Sequence, residues 1–513
     1  MTRTPRWSPT YAVDGLTAGI GGLAVASLGA LALGAAGAVG GEAMPLAAVG
    51  AAFVDRTPLW LKTVAVQAFG TSDKTALWIG MALVIAALLA GIGALARTRH
   101  TLALTSLAAL GAVVIAAVVT REGARLLDVL PTLVGVAGAV IWLDRRARVA
   151  RSEDADALDA RAATRRSVLG LGAATAGFAA TSWWWARGTG PTLDDIRARI
   201  VLPEPVSSEP HVAAADLGTP GAVPWQVPTG DFYRIDTALV VPQVDPGTWR
   251  LRVYGEVEQE VEITWADLLR RPMVERWVTL ACVSNEIGGD LVGNALWLGW
   301  PVRELLAMAR PRAGADMVLS RSVDGWTAGT PLETLTDDRN ALLAVGMNRQ
   351  PLTAVHGFPV RLVVPGLYGY VSATKWVTEL KVTRFAVDMG YWTPRGWSAF
   401  GPVKTASRID VPRSGREVRA GLVPVAGVAW AMHRGIAGVQ VSVDGGPWRD
   451  ARLAGQPTVD AWRQWVFDWD ATAGSHTLTV RAQDGSGEWQ PATVTRSDPD
   501  GATGHHTVTV RVA

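Results

Sequence analysis

The sequence predicts a multi-domain protein with an N-terminal transmembrane helical bundle, a central α+β domain and a C-terminal β-sandwich. Three observations support this fold class. Long uncharged runs fill the chain before residue 187, short strand-like and helical runs alternate from 230 to 412, and apolar residues alternate with polar ones from 413 to 513.

The composition narrows the functional classes. Apolar residues make up 49% of the 513 residues and charged residues only 18%, which is unusually apolar for a soluble enzyme. A net charge of +2 provides no basic field, so no nucleic-acid partner is expected. The single cysteine, Cys282, excludes an intrachain disulfide and any zinc or iron–sulfur site that needs several cysteines.

Five apolar runs predict transmembrane helices, since a membrane-spanning helix needs roughly 20 apolar residues. They occupy 15–41, 75–96, 101–120, 126–143 and 167–186. The fourth run contains Asp128 near its start, and we expect this carboxylate at the membrane interface. Small residues dominate the first run and favour close helix packing. The shorter segment 58–70 carries Lys62 and is predicted to be interfacial or re-entrant.

The distribution of Lys and Arg predicts the orientation. The arginine-rich loops lie on one side if the N-terminus is cytoplasmic and five spans follow, which places the rest of the chain outside the cytoplasm. The pair Arg165–Arg166 before the fifth run resembles a twin-arginine export signal, although a stop-transfer flank has the same composition. We therefore expect a multi-pass protein of the cell membrane, with the lipid bilayer as its first partner.

The predicted membrane helices carry no obvious chemistry. Of the seven histidines only His100 lies in this part of the chain, at a helix end, so no haem is expected between the helices. The segment 188–229 is rich in Pro, Ser, Ala and Gly and is predicted to be a linker, either a tether or an extended segment wrapped on the protein.

The two later domains have different patterns. Between 230 and 412, a strand is predicted at 249–254, helices at 264–270 (with Thr264 as N-cap) and 302–309, and a strand at 358–364. From 413 onward, alternating residues mark strands separated by Asp-Gly turns. The alternating sets are Val439, Val441, Val443, then Leu478, Val480, Ala482, and finally Val508, Val510, Val512. This regular spacing favours a β-sandwich.

Cys282 follows a strand-like run and precedes turn-forming residues, in Trp277-Val-Thr-Leu-Ala-Cys-Val-Ser-Asn285. A lone thiol has three readings: a small buried hydrophobic residue, a nucleophile or a metal ligand. A second group of residues lies in the segments His356-Gly-Phe-Pro-Val-Arg361 and Ser372-Ala-Thr-Lys375. Arg361 and Lys375 beside Gly and Ser could cradle a phosphate, or could be ordinary charges at a strand edge.

Together, these segments resemble the sulfite oxidase family of molybdenum enzymes. The resemblance rests on the Cys282 segment, the His-Gly-Phe-Pro-Val-Arg motif with the following Val-Val-Pro-Gly, and the pair Lys375–Trp376. The regions 439–448 and 462–469 are similar to the immunoglobulin-like dimerisation domain of that family. The resemblance covers about 230 to 513 and implies a bound molybdenum–molybdopterin cofactor and a homodimer formed through the C-terminal domain.

The resemblance also implies a site. Cys282 would bind molybdenum and would be catalytic, together with Tyr391 as the active-site tyrosine. The expected cofactor-binding residues are Tyr233, Asp236, Thr237, Asn285, His356, Arg361, Ser372 and Lys375.

The sequence departs from the family at three positions where sulfite oxidases carry anion-binding arginines. Here these positions are occupied by Ile235, Ile287 and Asp498. An anion without these partners would lose charge-assisted hydrogen bonds worth roughly 1.5–3 kcal/mol each. We therefore predict that the substrate is not sulfite. A methionine-sulfoxide reductase subgroup also lacks these arginines, but it lacks the C-terminal sandwich as well.

The sequence thus predicts a membrane-anchored, extracytoplasmic molybdopterin-dependent oxidoreductase that performs two-electron oxygen-atom transfer on an unknown small substrate. Its electrons would pass to an unidentified protein or a quinone, because neither haem nor iron–sulfur ligands are present. An alternative is an exported, non-catalytic scaffold or adhesion module on a membrane anchor. A transporter with an exported sensor is disfavoured, since the spans lack paired ionisable residues.

Overall fold

The chain forms two compact units in this computed structural model, the first comprising Met1–Thr192 with Thr237–Val240 and the second Leu193–Asp236 with Val241–Ala513. The predicted central and C-terminal domains therefore fall into one unit. The structure describes residues 9–36, 38–39, 43–58, 61, 73–121, 124–152, 169–180 and 192–513.

The first unit is helical. Its helices are α1 (Pro9–Ala35), α2 (Pro45–Arg56), α3 (Asp73–Thr98), α4 (His100–Val119), α5 (Leu130–Ser152) and α6 (Leu169–Ala180). Four described stretches are long and apolar enough to cross a membrane, namely Tyr11–Gly34, Lys74–Thr98, His100–Val119 and Leu126–Arg148. They correspond to the first four predicted spans, and α1 ends before the predicted limit at residue 41.

The predicted fifth span is described only as the short helix α6, so a fifth membrane-spanning helix is not established. Arg165–Arg166 and almost all of the segment 58–70 lie outside the described residues. Helix α2 was not predicted, because its twelve residues are too few to stand out as an apolar run.

Small residues allow the close packing expected for the first span. A Cβ atom added at Gly22 of α1 would lie 2.7 Å from the carbonyl oxygen of Gly135 in α5. The carboxylate of Asp128 accepts a hydrogen bond from the backbone N–H of Arg125 (2.7 Å) and caps the turn that precedes α5. Asp128 therefore lies at a helix end, as predicted, and its side chain is buried.

The second unit consists mainly of β-strands with four short helices, α7 (Leu193–Ala198), α8 (Trp265–Leu269), α9 (Val302–Ala309) and α10 (Leu332–Thr336). Thr264 caps α8 as predicted, because its hydroxyl accepts from the N–H of Asp267 (3.1 Å). The strands are β1 (Ser207–Ser208), β2 (Arg250–Gly255), β3 (Val261–Thr264), β4 (Val274–Ala281), β5 (Val292–Pro301), β6 (Met317–Ser322), β7 (Thr327–Pro331), β8 (Leu342–Met347), β9 (Gln350–Pro351), β10 (Arg361–Val363), β11 (Val377–Thr383), β12 (Ala406–Val411), β13 (Glu417–Val418), β14 (Gly421–Trp430), β15 (Ile436–Val443), β16 (Arg449–Asp450), β17 (Arg452–Leu453), β18 (Arg463–Ala471), β19 (Gly474–Asp484) and β20 (His506–Val512).

Two mixed sheets form the central part. One has the order β1-β4-β5-β8-β10, with β9 paired to β8, and the other has the order β3-β2-β11-β6-β7. Strands β4 and β5 are buried along almost their whole length, which explains why the Cys282 run has no polar alternation. The predicted strand 358–364 is observed only over β10, because the chain turns before Arg361.

Two further sheets with the orders β12-β14-β18-β17 and β13-β20-β19-β15-β16 share one hydrophobic core. All the predicted alternating residues of β15, β19 and β20 lie in or against this core. The predicted linker, residues 188–229, is packed against the second unit over its described part, which begins at residue 192. There, β1 pairs in parallel with β4, and the indole of Trp225 is fully buried and donates to the carbonyl of Trp462 (3.2 Å).

Candidate active site

Strand β4 delivers Cys282 to a tight turn at its end. The backbone N–H of Cys282 donates to the carbonyl of Leu291 (2.9 Å), and its carbonyl accepts from the N–H of Asn285 (3.1 Å). The side-chain oxygen of Asn285 accepts in turn from the N–H of Leu291 (2.8 Å). The thiol is thus held by a backbone that is fixed on both sides.

The Cys282 thiol is unpaired and 9% exposed. Burial raises its pKa, and hydrogen bonds from Ser284 only partly oppose this effect. The sulfur therefore stays protonated at neutral pH in the protein alone. Because a metal binds the thiolate, metal binding at Cys282 must release this proton.

A buried guanidinium lies in the same region. Arg361, at the start of β10, is 6% exposed and donates to the carbonyls of His356 (3.2 Å) and Ala373 (3.4 Å). Its guanidinium carbon lies 5.1 Å from the centre of the Trp297 ring. Burial lowers the Arg361 pKa to about 10, and no carboxylate offsets this shift. Its buried positive charge is therefore uncompensated.

Lys375 is a second buried cation, 9% exposed. Its ammonium donates to Asp236 (2.7 Å) and to the carbonyl of Val355 (3.0 Å). Burial lowers the Lys375 pKa to about 8, although Asp236 opposes the shift. Arg234 also binds the same oxygen of Asp236 (3.0 Å). Lys375 and Arg234 therefore share the Asp236 carboxylate, and the nearby Arg361 adds a third positive charge that has no carboxylate partner among the described residues.

His356 is neutral at physiological pH. Burial, followed by the nearby charge of Arg361, lowers its pKa to about 4. Its Nε2 lies 3.0 Å from the carbonyl oxygen of Thr229. Since a carbonyl can only accept, we assign the ring proton to Nε2, which leaves Nδ1 as an acceptor. The edge of Phe232 packs against the imidazole at a centroid distance of 5.7 Å.

Tyr233 connects Cys282 to the cations. Its ring stacks on Phe232 at 5.2 Å. Burial raises the Tyr233 pKa, the Cys282 sulfur raises it further, and Arg361 lowers it, so the phenol is within electrostatic reach of both groups. Cys282, Tyr233 and the cation cluster therefore form a single site.

These residues fit a molybdopterin cofactor. A buried excess of positive charge is unfavourable unless an anion accompanies it, and the phosphate of the pterin is a dianion that Arg and Lys can hold. The thiol beside the cations is a soft ligand suited to molybdenum. The alternative reading of Arg361 and Lys375 as solvated edge charges is inconsistent with their burial.

A cleft reaches the end of β4 at Ala281, the residue that precedes Cys282. Its empty volume is about 400 Å³ including its open mouth, and none of its lining residues, all within the described stretch 192–513, is basic. These residues are Ala281, Asn285, Glu286, Ile287, Gly288, Tyr368, Ala406, Ser407, Trp430, Gln490, Ala502 and Gly504. Arg408 donates to the carbonyl of Gly289 (2.7 Å) but is paired with Asp410 (2.7 Å).

Tyr368 is the residue that sequence reasoning missed. It is buried, lines the cleft and lies within electrostatic reach of Cys282. Burial raises the Tyr368 pKa to about 12, so its hydroxyl stays protonated. The oxygen accepts from the N–H of Lys404 (3.3 Å). The only signal in the sequence is its place in the loop between the Arg361 and Lys375 segments.

Three other predicted residues have different surroundings. The Ser372 hydroxyl donates to the carbonyl of Tyr368 (2.9 Å) and supports that turn. Thr237 is half-buried and groups with the first unit. The guanidinium carbon of Arg395 lies over the ring of Tyr391, 3.6 Å from the ring centre. Their assignments to the site stay predictions.

The comparisons with known proteins decide the family. Residues 238–392 match the family described as oxidoreductase molybdopterin binding domain. The chain is 31% identical over 178 residues to the uncharacterized oxidoreductase YuiH of Bacillus subtilis, and the match covers 35% of this chain and 86% of that protein. The chain belongs to the sulfite oxidase family. It contains the oxidoreductase molybdopterin-binding domain of that family, and the cation cluster near Cys282 has the chemistry that a molybdopterin requires.

Longer family members match only in part. The mitochondrial sulfite oxidase of Mus musculus is 32% identical over 305 residues, which covers 50% of this chain and 56% of that protein. The chain thus spans little more than half the length of this relative. The crystal structure of the sulfane dehydrogenase SoxCD from Paracoccus pantotrophus superposes with a TM-score of 0.50 at 23% identity, over 64% of this chain and 94% of that one. This likeness indicates that the two proteins share a fold over the matched part of the chain.

Proposed function

We propose that this family member transfers an oxygen atom to or from a small substrate that is not an oxyanion, and that sulfite is not its substrate. The observation that carries this proposal is the cleft at the end of β4, next to Cys282 in the chain, whose described lining contains one acid, Glu286, and no base. Ile287 occupies the position where sulfite oxidases carry an arginine, and it faces this cleft. A doubly charged anion would enter it without a partner.

The other two arginine positions support the same view. Ile235 is 47% exposed, and the adjacent Arg234 is held by Asp236 (3.0 Å). Asp498 pairs with Arg496 (2.8 Å) at the surface. Neither arginine presents a free guanidinium to the cleft.

The chain's own residues supply binding and proton control. Arg361, Lys375 and His356 would hold the pterin and its phosphate, and Cys282 would hold the metal. The molybdenum centre, when bound, supplies two-electron redox chemistry and oxygen exchange. Tyr368 keeps its proton at neutral pH and can donate a hydrogen bond to a substrate oxygen in the cleft.

A substrate panel tests the proposal. We expect the purified holoenzyme to turn over neutral sulfoxides or thioethers and to act on sulfite poorly. Ile287→Arg should raise kcat/KM for sulfite by roughly 10-fold or more, because one charge-assisted hydrogen bond contributes about 1.5–3 kcal/mol. Ile287→Met is the matched control and should leave kcat/KM unchanged for both sulfite and the neutral substrate. Wild-type turnover of sulfite at about 10⁴ M⁻¹s⁻¹ or faster would refute the proposal.

We further propose that the chain is anchored by five spans with a cytoplasmic N-terminus and an extracytoplasmic catalytic unit. The four apolar helices and the arginine-rich loops support this topology. In a Cys282→Ser background, a membrane-impermeant maleimide should label Ser414→Cys in intact cells but not Thr98→Cys. Both positions are exposed. Labelling of Thr98→Cys but not of Ser414→Cys would show the opposite orientation and contradict the proposal.

We also propose that the two C-terminal sheets form an immunoglobulin-like dimerisation domain, as in the relatives the sequence resembles. Their shared core supports a sandwich. Light scattering of the detergent-solubilised protein should give the mass of a dimer, and a monomer at micromolar concentration would contradict this.

A further inference from the structure

A second cluster of metal-ligating side chains lies outside the active site. Asp337 and Asp338 follow helix α10, and His433 lies in the loop between β14 and β15. One ligand atom from each of the three lies within 4.8 Å of the other two. Asp338 and His433 are exposed, so the cluster is reachable from solvent.

A buried carboxylate faces this cluster. Asp460 is 4% exposed, and its Oδ1 has no hydrogen-bond partner in the described part of the chain. This oxygen lies 3.7 Å from Nδ1 of His433. That separation is too long for a hydrogen bond but suits two ligands of one ion, since atoms about 2.1 Å from a metal lie roughly 3–4 Å apart. Without an ion, this oxygen has an ion-pair partner only when His433 is protonated, and a shared metal ion would serve it at neutral imidazole as well.

The charges also favour a cation. Three carboxylates meet here, and among the residues that the structure describes they pair with two positive or ionisable groups, His433 and Arg339. Its guanidinium binds both oxygens of Asp337 at 2.8 and 3.0 Å. This contact orients the carboxylate and leaves each oxygen a further lone pair. A divalent ion together with Arg339 would balance the three acids.

We propose that Asp337, Asp338, His433 and Asp460 form a binding site for one divalent transition-metal ion, Mn²⁺ or Zn²⁺. The imidazole nitrogen favours these ions over Ca²⁺ and Mg²⁺, which prefer oxygen alone. Asp337, Asp338 and His433 each offer one ligand atom within 4.8 Å of the other two, and these atoms would draw together, by roughly 1 Å, around a shared ion.

The ion would join parts of the second unit that the active site depends on. Asp337 and Asp338 belong to the central part, whereas His433 and Asp460 belong to the C-terminal sheets. The carbonyl of Asp460 accepts from the N–H of Thr279 in β4 (3.0 Å), the strand that ends at Cys282. Arg339 also donates to the carbonyl of Pro365 (3.2 Å), in the loop that carries Tyr368. We assign the ion a structural role.

The test uses the full-length molybdenum-loaded protein in detergent, freed of loosely bound metals by EDTA and titrated separately with MnCl₂ and ZnCl₂. We expect one ion per chain by calorimetry, and a melting temperature that rises by several degrees on binding. Asp338→Asn and His433→Gln should each weaken binding at least 10-fold and remove the thermal shift. Both residues are exposed, so these variants should fold.

Glu333→Gln is the matched control, because it removes the same charge from an exposed position of α10 outside the cluster. It should bind the ion as the wild type does. Asp460→Asn should also lose metal binding. If this variant does not fold, Asp338→Asn and His433→Gln still test the site. The proposal is overturned if no stoichiometric ion binds below about 100 μM, or if Asp338→Asn and His433→Gln bind as tightly as the wild type.

Discussion

The two sides of Cys282 differ in charge. On one side Lys375 and Arg234 share the Asp236 carboxylate, and the buried Arg361 lies near them without a carboxylate partner among the described residues. On the other side the cleft lined by Ile287 and Tyr368 contains no basic residue. The first side suits a permanently held anion, whereas the second suits a substrate without negative charge.

This difference separates the family's cofactor from the chain's own specificity. The cation cluster coincides with the segments that carry the family resemblance, and the cleft contains one of the positions where the sequence departs from it. Cofactor binding and substrate choice can therefore be altered independently, and substitutions on the two sides of Cys282 should have separable effects.

The largest effect is expected at the point where the two sides meet. Cys282→Ser replaces the thiol with a hydroxyl that does not ionise at neutral pH, so the metal would lose the protein ligand that we propose for it. We expect turnover to fall by more than the roughly 10–100-fold loss typical of an outer-shell partner. Turnover assays and molybdenum content measure this loss.

Circular dichroism and the melting temperature of Cys282→Ser should stay near the wild-type values, since the two side chains have similar size. If this variant kept wild-type molybdenum content and turnover, the thiol would not be the metal ligand. An inert scaffold would show no activity in either protein.

The next effect isolates the cationic side. Arg361→Gln keeps a donor but removes a buried charge, and we expect cofactor occupancy to fall by roughly 10–100-fold, equivalent to about 1.5–3 kcal/mol. The cofactor-free variant should be no less stable than the wild type, because the lost charge had no carboxylate partner. Molybdenum and pterin content measure the first effect, and thermal unfolding measures the second.

Arg252→Gln is the control for Arg361→Gln, since Arg252 is exposed and paired with Glu260 (2.8 Å). It should leave cofactor occupancy unchanged. A cofactor-free Arg361→Gln protein that unfolds far below the wild type would instead assign Arg361 a structural role.

Much of the fold follows from local patterns. Apolar runs predict the first four spans, and alternation predicts β15, β19 and β20, because burial on one face imposes these periods. Helix α2 was not predicted, because a short helix that contains Ala and Gly shows no distinctive hydrophobic periodicity. The segment before residue 229 is packed, which was one of its two predicted forms, but its partners could not be predicted because the partner of Trp225 lies far along the chain, at Trp462.

The site was predictable only where motifs carry it. Cys282, Arg361 and Lys375 stand in recognisable segments, and the structure places them with Asp236 and Tyr233 in one site. No rule of spacing distinguishes Tyr368 from Tyr391, because the choice depends on how the loop after β10 folds back toward β4. The pairing of His433 with Asp460 is likewise set by tertiary structure.

Tyr368 and Tyr391 should differ in how strongly their hydroxyl groups affect turnover. Tyr368→Phe removes the hydroxyl near Cys282, and we expect turnover to fall by roughly 10–100-fold, at the lower end of what proton donors contribute. Tyr391→Phe should change turnover less than about 2-fold. Steady-state kinetics, with molybdenum content measured for each variant, tests both.

The reverse order, with Tyr391→Phe the more damaging, would restore the role that the sequence assigned to Tyr391. An equal loss of molybdenum in both variants would show that the hydroxyls support cofactor binding instead of turnover.

The smallest predicted effect is a pH dependence of stability on the cationic side. In the cofactor-free protein the Lys375 pKa is lowered to about 8, against an ordinary value of 10.5. Between these pH values the unfolded chain binds more protons than the folded one, so this group makes the protein more stable as pH rises. The difference in unfolding free energy between wild type and Lys375→Met should therefore increase from pH 8 to 10, by up to about 1.4 kcal/mol per pH unit.

A bound phosphate should cancel this dependence, because a neighbouring dianion raises the Lys375 pKa again. Unfolding followed by tryptophan fluorescence at pH 7.5, 8.5 and 9.5, with and without cofactor, measures both cases. Below pH 8 the difference should be flat. A difference that stays flat from pH 7.5 to 9.5 in the cofactor-free protein would contradict this prediction, because it would mean that Asp236 compensates the buried charge of Lys375 fully.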